Sequence, residues 1–294
     1  MKNTSNQISV VASNIIAVVN DKGGVGKSVL SKYVLATLAK EKYKTVNIYE
    51  IDNNNKKGNF NSSLINHHLF KINDKNEAIF DVSFYEDDAE VCSIIDCGGG
   101  DDVKSVIEAL SKNKIENVSF FIPTLDDDET VDNIKSTLDE IRTYYPDSKV
   151  TLVLNKAQSN SLEEAKIQFI NIFGSEKYGY KSEYEQLAKS LNSIAIVPHT
   201  NLIFLMKNHH RLAMTDLYLS SVNLINNLKE NRAIWKKEAL EKNDKDYYHK
   251  KMDLVDFSEN IFNQIKSDYE TIVTNLPNHE DLNIKYIPIS ALNG

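Results

Sequence analysis

Asn20-Asp21-Lys22-Gly23-Gly24-Val25-Gly26-Lys27-Ser28 is the stretch that decides the fold of this 294-residue chain. Its three glycines let the backbone curl until successive N–H groups converge on one point. Lys27 supplies a point charge there for the β- and γ-phosphates of a nucleotide, and the Ser28 hydroxyl can ligate Mg²⁺. Upstream, Asn14 to Asn20 holds the apolar run Ile15-Ile16-Ala17-Val18-Val19, a buried strand. Downstream, Leu30, Val34 and Leu38 follow at helical spacing. Strand, glycine loop and helix in that order form the setting in which such a loop cradles phosphate, with the helix N-terminus facing the anion.

The loop carries a second lysine, Lys22, and so has the form K-G-G-x-G-K-S. This resembles the deviant Walker A box of the ParA/MinD family of ATPases. The resemblance implies ATP and Mg²⁺ as cofactors. It also implies a homodimer with ATP sandwiched at the interface, in which Lys22 reaches the partner's nucleotide, so that binding and dimerisation are one event. It assigns the nucleotide to Lys22, Gly23, Gly24, Val25, Gly26, Lys27, Ser28 and Val29, with Lys22 and Lys27 also catalytic. Many partition proteins have a hydroxyl residue where this chain has Val29, and that departure keeps a transfer-type relative in view.

Two acidic strand ends follow. Thr45 to Asp52 alternates as a second strand and ends in Glu50 and Asp52, carboxylates at the ligand edge of an open α/β sheet. The family resemblance makes Asp52 the residue that orders the attacking water. Glu50 stands where the family has Asp, near the metal and the switch. Val91 to Asp96 reads as a buried strand ending in an acid, followed by Cys97-Gly98-Gly99-Gly100. Asp96 is the expected Walker B residue, holding Mg²⁺ together with Ser28, and the glycines let the loop approach the γ-phosphate. Between them, Asn53 to Asp88 is polar and irregular, with a possible short strand near Ala78 to Phe84. That length of connection predicts a switch loop over the nucleotide. His67-His68 reads as polar surface, because no further ligands stand at metal spacing.

The rest of the core alternates. A helix with Val103, Val106, Ile107 and Leu110 inward precedes the strand Val118 to Ile122, which Pro123 stops. A helix with Val131, Ile134, Leu138, Ile141 and Tyr145 follows, and its acidic start, Asp126 to Glu129, suits the helix dipole. Strand Val150 to Leu154 ends at Asn155-Lys156; Gln158 replaces the acid that reads guanine in GTPases, and the resemblance instead puts Asn155 at adenine. Ser161 with Glu164 predicts a capping box for a helix ending near Gly174. Leu187, Ala188 and Leu191 mark another amphipathic segment. Strand Ile194 to Val197 ends at Pro198, which relatives place beside adenine. Strands alternating with helices predict an α/β fold, a mostly parallel doubly wound sheet flanked by helices, with a helical C-terminal extension. The expected division is 1–228 for the ATPase core and 229–294 for the extension. There, Leu212 to Leu228 and Asn231 to Leu240 read as helices, Glu241 to Asp246 as a charged break, and Met252 to Leu276 as a long amphipathic helix. Its apolar face holds Leu254, Ile261, Phe262, Ile265, Tyr269, Ile272 and Leu276.

Composition narrows the function. The 41% hydrophobic content supports a sizeable core. Cys92 and Cys97, the two cysteines, support neither a disulfide scaffold nor a Cys-rich metal site, which points to the cytoplasm. No run approaches the roughly 18 apolar residues of a membrane helix, and the tail Pro277 to Gly294 has no basic amphipathic character, so no membrane partner is expected. Residues Met1 to Ser13 read as a loose arm. A net charge of −8 argues against a generally basic nucleic-acid binder. Non-specific DNA contact would fall to Lys207, Arg211, Lys229, Arg232, Lys236 and Lys237 in the C-terminal third. The resemblance therefore implies an ATPase of the ParA type that segregates or positions a DNA cargo, most simply a plasmid, working with a centromere-binding protein. The alternative is an accessory ATPase of conjugative transfer that binds transfer proteins.

Overall fold

The structure, a computed structural model, describes residues 14–53, 60–159, 161–207, 213–214, 216, 221 and 224–274. Seven strands form one sheet: β1 (Ile15–Val18), β2 (Thr45–Ile51), β3 (Asn66–Phe70), β4 (Val91–Cys97), β5 (Val118–Thr124), β6 (Val150–Ala157) and β7 (Ser193–Pro198). Their order is β3-β2-β4-β1-β5-β6-β7 and every pair is parallel. All seven carboxyl ends therefore open on one edge. The phosphate loop leaves β1 between its neighbours β4 and β5, the crevice where open α/β sheets hold ligands.

Strands buried on both faces sort their side chains by parity. Ile16, Val18, Val46, Ile48, Cys92 and Ile94 pack on one face against Leu30, Tyr33, Val34 and Leu38 of the helix that follows the loop. Ile15, Ala17, Val19, Tyr49, Ile51 and Ile95 pack on the other. There they meet Val103, Val106, Ile107 and Leu110 of α4 (Asp101–Lys112) and Ile134, Leu138 and Ile141 of α5 (Thr130–Tyr144). The inward residues expected for these two helices are buried, except that Val131 and Tyr145 pack only partly buried at the margin.

The helix after the loop changes register. Lys27–Val29 (α1) is α-helical, Leu30–Leu35 is π-helical and Ala36–Lys42 (α2) returns to α. All six residues of the π-helical stretch are buried, Lys32 among them, and burial continues into the start of α2.

Two readings between β2 and β4 are corrected. Ala78 to Phe84 is not a strand but lies in α3 (Lys75–Phe84), with Ala78, Ile79 and Val82 buried at helical spacing. Phe80 and Phe84, 68% and 76% exposed, interrupted that pattern in the sequence. His67-His68, read as polar surface, lies in β3, the edge strand: His68 is exposed as read, but the His67 side chain is only 11% exposed. Residues 54–59 of the expected switch loop lie outside the described residues.

The expected capping box is also absent. Helix α6 (Leu162–Gln168) starts with no side-chain bond from Ser161, and Glu164 instead accepts a hydrogen bond from the Ser159 hydroxyl. The helix breaks at Phe169 and resumes as α7 (Ile170–Phe173), ending at Gly174. The segment holding Leu187 is the single turn α8 (Tyr184–Leu187).

C-terminally, α9 (Asn201–Leu205), α10 (Leu228–Glu241) and α11 (Lys245–Thr274) follow β7. Most of the helix expected over Leu212 to Leu228 lies outside the described residues. Helix α11 packs on α10 and touches β7 and α9. Among its described side chains Val255 and Ser258 are buried, whereas Leu254, expected inward, is 44% exposed. The adjacent Leu254 and Val255 are both apolar, so periodicity alone could not choose between them. The side chains of Ile261, Phe262, Ile265, Tyr269 and Ile272, and all of Leu276, lie outside the described residues. No helix among the described residues is long and apolar enough to cross a membrane.

Ile94 is fully buried in the central strand β4. Ile94→Ala is expected to cost about 2–5 kcal/mol of unfolding free energy, read as a lower denaturant midpoint at unchanged slope.

Candidate functional site at the carboxyl edge of the sheet

The phosphate loop is fixed from three sides. Asn20, fully buried, donates from Nδ2 to the Pro123 carbonyl at 2.9 Å and accepts the Lys22 N–H at 2.8 Å. Asp21 accepts from the Ser136 hydroxyl and receives the Gly100 N–H on its carbonyl at 2.6 Å. Gly99 lies so close to the loop that a Cβ there would stand 3.1 Å from the Asp21 carbonyl oxygen. The Gly98–Gly100 turn thus packs directly on the phosphate loop.

The third support is Asn155. A bulge in β6 between Asn155 and Ala157, with Lys156 at φ 57°, re-aims this side chain inward. Asn155 Nδ2 donates to the Val25 carbonyl at 2.7 Å, and its Oδ1 accepts the Lys156 N–H at 3.0 Å. A Cβ on Gly26 would lie 2.0 Å from that amide nitrogen, and Gly26 has φ 97°, so glycine is required there twice over. Both ends of the Asn155 amide are therefore engaged with protein rather than aimed outward. Pro198 is buried at the end of β7 beside Ala157.

Both loop lysines have internal partners. Lys27 Nζ donates to the Asn20 and Lys22 carbonyls, each at 2.8 Å. Burial pulls its pKa down, against the opposing charges of Cys97, Asp96, Asp52 and Asp21. Lys22 Nζ stands 3.0 Å from Asp127 and 3.1 Å from Glu129, and these hydrogen bonds raise its pKa. The acidic start of α5, read in the sequence as a response to the helix dipole, is where the side chain of Lys22 rests.

Asp96 is 1% exposed, and neither of its oxygens has a hydrogen-bond partner among the described residues. Burial pushes its carboxyl up to about 6, with Lys32 and the nearby Ser28 and Ser31 hydroxyls opposing and Glu50 reinforcing the rise. A buried carboxylate with both oxygens free of protein donors suits a divalent cation, and Ser28 lies beside it at the start of α1. The residues present therefore fit Mg²⁺.

Asp52 follows β2, its N–H donating to the Phe70 carbonyl at 3.2 Å, and its charge reaches both Lys27 and Asp102. Asp102 Oδ1 accepts from Asn53 at 3.4 Å. Glu50 is held by Lys32 Nζ at 2.6 Å and His67 Nε2 at 2.8 Å. Burial raises the Glu50 pKa, but these partners outweigh it and hold the carboxyl below its ordinary range. Lys32 and His67 escaped the sequence reading. A lone lysine in an apolar helix and a histidine on an edge strand carry no motif, and only the fold brings them to one carboxylate.

A sequence profile described as the CobQ/CobB/MinD/ParA nucleotide binding domain matches residues 16–198. Over 44 residues the chain is 52% identical to sulfate adenylyltransferase subunit 1 of Yersinia enterocolitica and 59% identical to that of Aliarcobacter butzleri. That stretch is 15% of this chain and spans 9% of the length of either relative. Among solved structures, McdA of Cyanothece in complex with ATP is 13% identical, covering 70% of this chain and 91% of that one, with a TM-score of 0.44. MinD of Aquifex aeolicus is 14% identical over 66% of this chain and 86% of that one, with a TM-score of 0.43. A Borrelia burgdorferi plasmid partition protein bound to AMPPNP is 12% identical over 67% and 91%, with a TM-score of 0.42.

An Asp whose pKa is raised on folding costs stability once it ionises. The cost is absent below the ordinary carboxylate value and complete above about 6. Asp96→Asn is therefore expected to stabilise the nucleotide-free, metal-free protein at pH 8, by on the order of 3 kcal/mol before relaxation. The gain should shrink as the pH falls from 6 towards 4. Thermal melts in EDTA across that window check it, and an unchanged or lower midpoint at pH 8 counts against it.

Proposed function

Because this chain belongs to the CobQ/CobB/MinD/ParA family of nucleotide-binding domains, we propose that it is a Mg²⁺-dependent ATPase that dimerises on ATP and positions or segregates a DNA cargo, most simply a plasmid, in the cytoplasm. The observation that carries this reading is the second lysine, Lys22, opening a phosphate loop whose Lys27 and glycines are already in place. In this proposal the Gly23 to Ser28 amides and Lys27 hold the phosphates, and Val29 continues the cradle into α1. Ser28 and Asp96 hold Mg²⁺, which when bound neutralises charge on the β- and γ-phosphates. Asp52 orders the attacking water at the mouth of the switch loop. Lys22 leaves Asp127 and Glu129 and crosses to the partner's nucleotide. Asn155 and Pro198 border the base, with Asn155 acting through the loop it braces.

The proposal has residues 1–228 as the ATPase core and 229–294 as an extension that meets DNA or a centromere-binding protein. Lys229, Arg232, Lys236 and Lys237 are all exposed on α10 and Lys207 is exposed after α9, while Arg211 lies outside the described residues. Dimerisation duplicates this face, and each phosphate contact releases roughly 0.9 counterion, so affinity rises steeply with the doubled count.

Lys27→Ala is expected to abolish nucleotide binding in calorimetry. Lys22→Ala should still bind nucleotide but fail to dimerise. Light scattering with a non-hydrolysable ATP analogue decides this, and a wild-type mass that stays monomeric with the analogue bound would falsify the sandwich.

DNA retention should be higher with the ATP analogue than with ADP, weaken between low and moderate salt, and drop in a Lys236→Glu/Lys237→Glu variant. Equal retention in both nucleotides, or none at low salt, removes DNA as a direct partner of the α10 face.

A further inference from the structure

Glu50 and Asp96 are direct cross-strand partners in the parallel β2–β4 pair. Their side chains therefore stand on the same face of the sheet, with backbones about 5 Å apart. It is the face on which Val46, Ile48, Cys92 and Ile94 pack against Leu30, Tyr33 and Val34, so little water reaches either carboxylate. Two such groups side by side repel each other. Their treatment by the fold is unequal. Glu50 receives Lys32 Nζ at 2.6 Å and His67 Nε2 at 2.8 Å on the same oxygen, the three side chains being 10–12% exposed. Asp96 receives no hydrogen bond from any described residue.

Lys32 lies in the π-helical stretch Leu30–Leu35, every residue of which is buried. Its charge acts on Asp96 as well as on Glu50, favouring the ionised carboxylate of each. Each member of the Lys32–Glu50 pair thus cancels the other's effect on the neighbouring carboxylate.

We propose that Lys32 and Glu50 are a built-in charge pair that sets the Mg²⁺ affinity of the Ser28–Asp96 site without ligating the ion. Lys32 stops Glu50 from adding its negative charge to the site, and Glu50 stops Lys32 from acting as a permanent substitute for the metal. The inference rests on the reading of Ser28 and Asp96 as the metal ligands. Its distinctive consequence is that removing the two partners singly moves metal affinity in opposite directions.

The test is a Mg²⁺ titration of fluorescent ATP-analogue binding, with binding in EDTA as the reference for each protein. Glu50→Gln leaves Lys32 uncompensated beside Asp96 and should weaken the Mg²⁺ dependence by on the order of tenfold. Lys32→Met leaves Glu50 with His67 as its remaining partner there and should strengthen it by a similar factor. Lys32→Met/Glu50→Gln removes both charges, strands neither, and should return close to wild type, as should Lys32→Arg, which keeps the charge. Binding in EDTA should be alike in all five proteins. Singles that shift the same way, a double variant as impaired as the worse single, or no shift in any variant overturns the charge pair. If a single variant does not fold, the double variant and Lys32→Arg decide: a departure of either from wild-type Mg²⁺ dependence overturns the pair. A wild-type protein whose nucleotide affinity ignores Mg²⁺ overturns the metal-site reading, and the inference with it. Mg²⁺ dependence in wild type without opposing shifts overturns the inference alone.

Discussion

A chain that leaves a buried strand at Val18 and enters a helix at Lys27 must turn without a ladder to pair its amides, and the rest of the site follows from how that turn is held. Glycine permits the curl but cannot fix it. Fixation comes from buried side chains that bond the loop from behind: Asn20 to the Pro123 carbonyl, Lys27 to two loop carbonyls and Asn155 to the Val25 carbonyl. Asn20 reaches from the loop to β5 and Asn155 from β6 to the loop, which is why the loop needs β5 and β6 as well as its own strand. With its carbonyls bonded inward, the loop can leave its N–H groups facing the crevice, the arrangement an anion requires.

The strands other than β3, their parallel arrangement and the acidic ends at Glu50, Asp52 and Asp96 were legible because apolar runs alternate with helical patterns along the core. What was not legible has specific causes. Strand β3, Asn66-His67-His68-Leu69-Phe70, is an edge strand with one side towards solvent, so it shows neither a long apolar run nor clean alternation. In α3 the exposed Phe80 and Phe84 blur the helical stripe formed by Ala78, Ile79 and Val82. The π turn at Leu30–Leu35 lies below what periodicity resolves, and with it the burial of Lys32. Asn155 entered the reading through the family resemblance, which put it at adenine. The bulge that turns its amide onto the loop instead of outward is a backbone event, and only Lys156 with positive φ marks it.

The same sheet edge shows two solutions to a buried carboxylate. Glu50 is neutralised within the fold and held below its ordinary pKa range, so its charge contributes to stability above that range and the contribution is lost on acidification. Asp96 is left without a donor and pushed up to about 6, so its charge opposes folding near neutrality. A group kept in an unfavourable state in an otherwise satisfied core marks a place where stability has been given up for a ligand. Glu50 is longer by one methylene than the Asp the family resemblance led one to expect, and its carboxylate is shared by Lys32 and by His67 of β3.

The two lysines of the loop extend this argument to the nucleotide. Neither waits unpaired: Lys27 rests on the Asn20 and Lys22 carbonyls and Lys22 on Asp127 and Glu129. An arriving phosphate therefore exchanges interactions rather than adding them, and only the difference favours binding. The exchange is unequal between the two. Lys27 is buried, with its pKa pulled down by desolvation, so a phosphate there meets a cation poorly solvated by its surroundings and the gain is large. Lys22 sits in a partly exposed ion pair, where such pairs contribute little, so releasing it costs little and recapturing it regains little. That asymmetry suits the proposed division of labour, in which Lys27 secures the nucleotide and Lys22 moves between its own subunit and a partner.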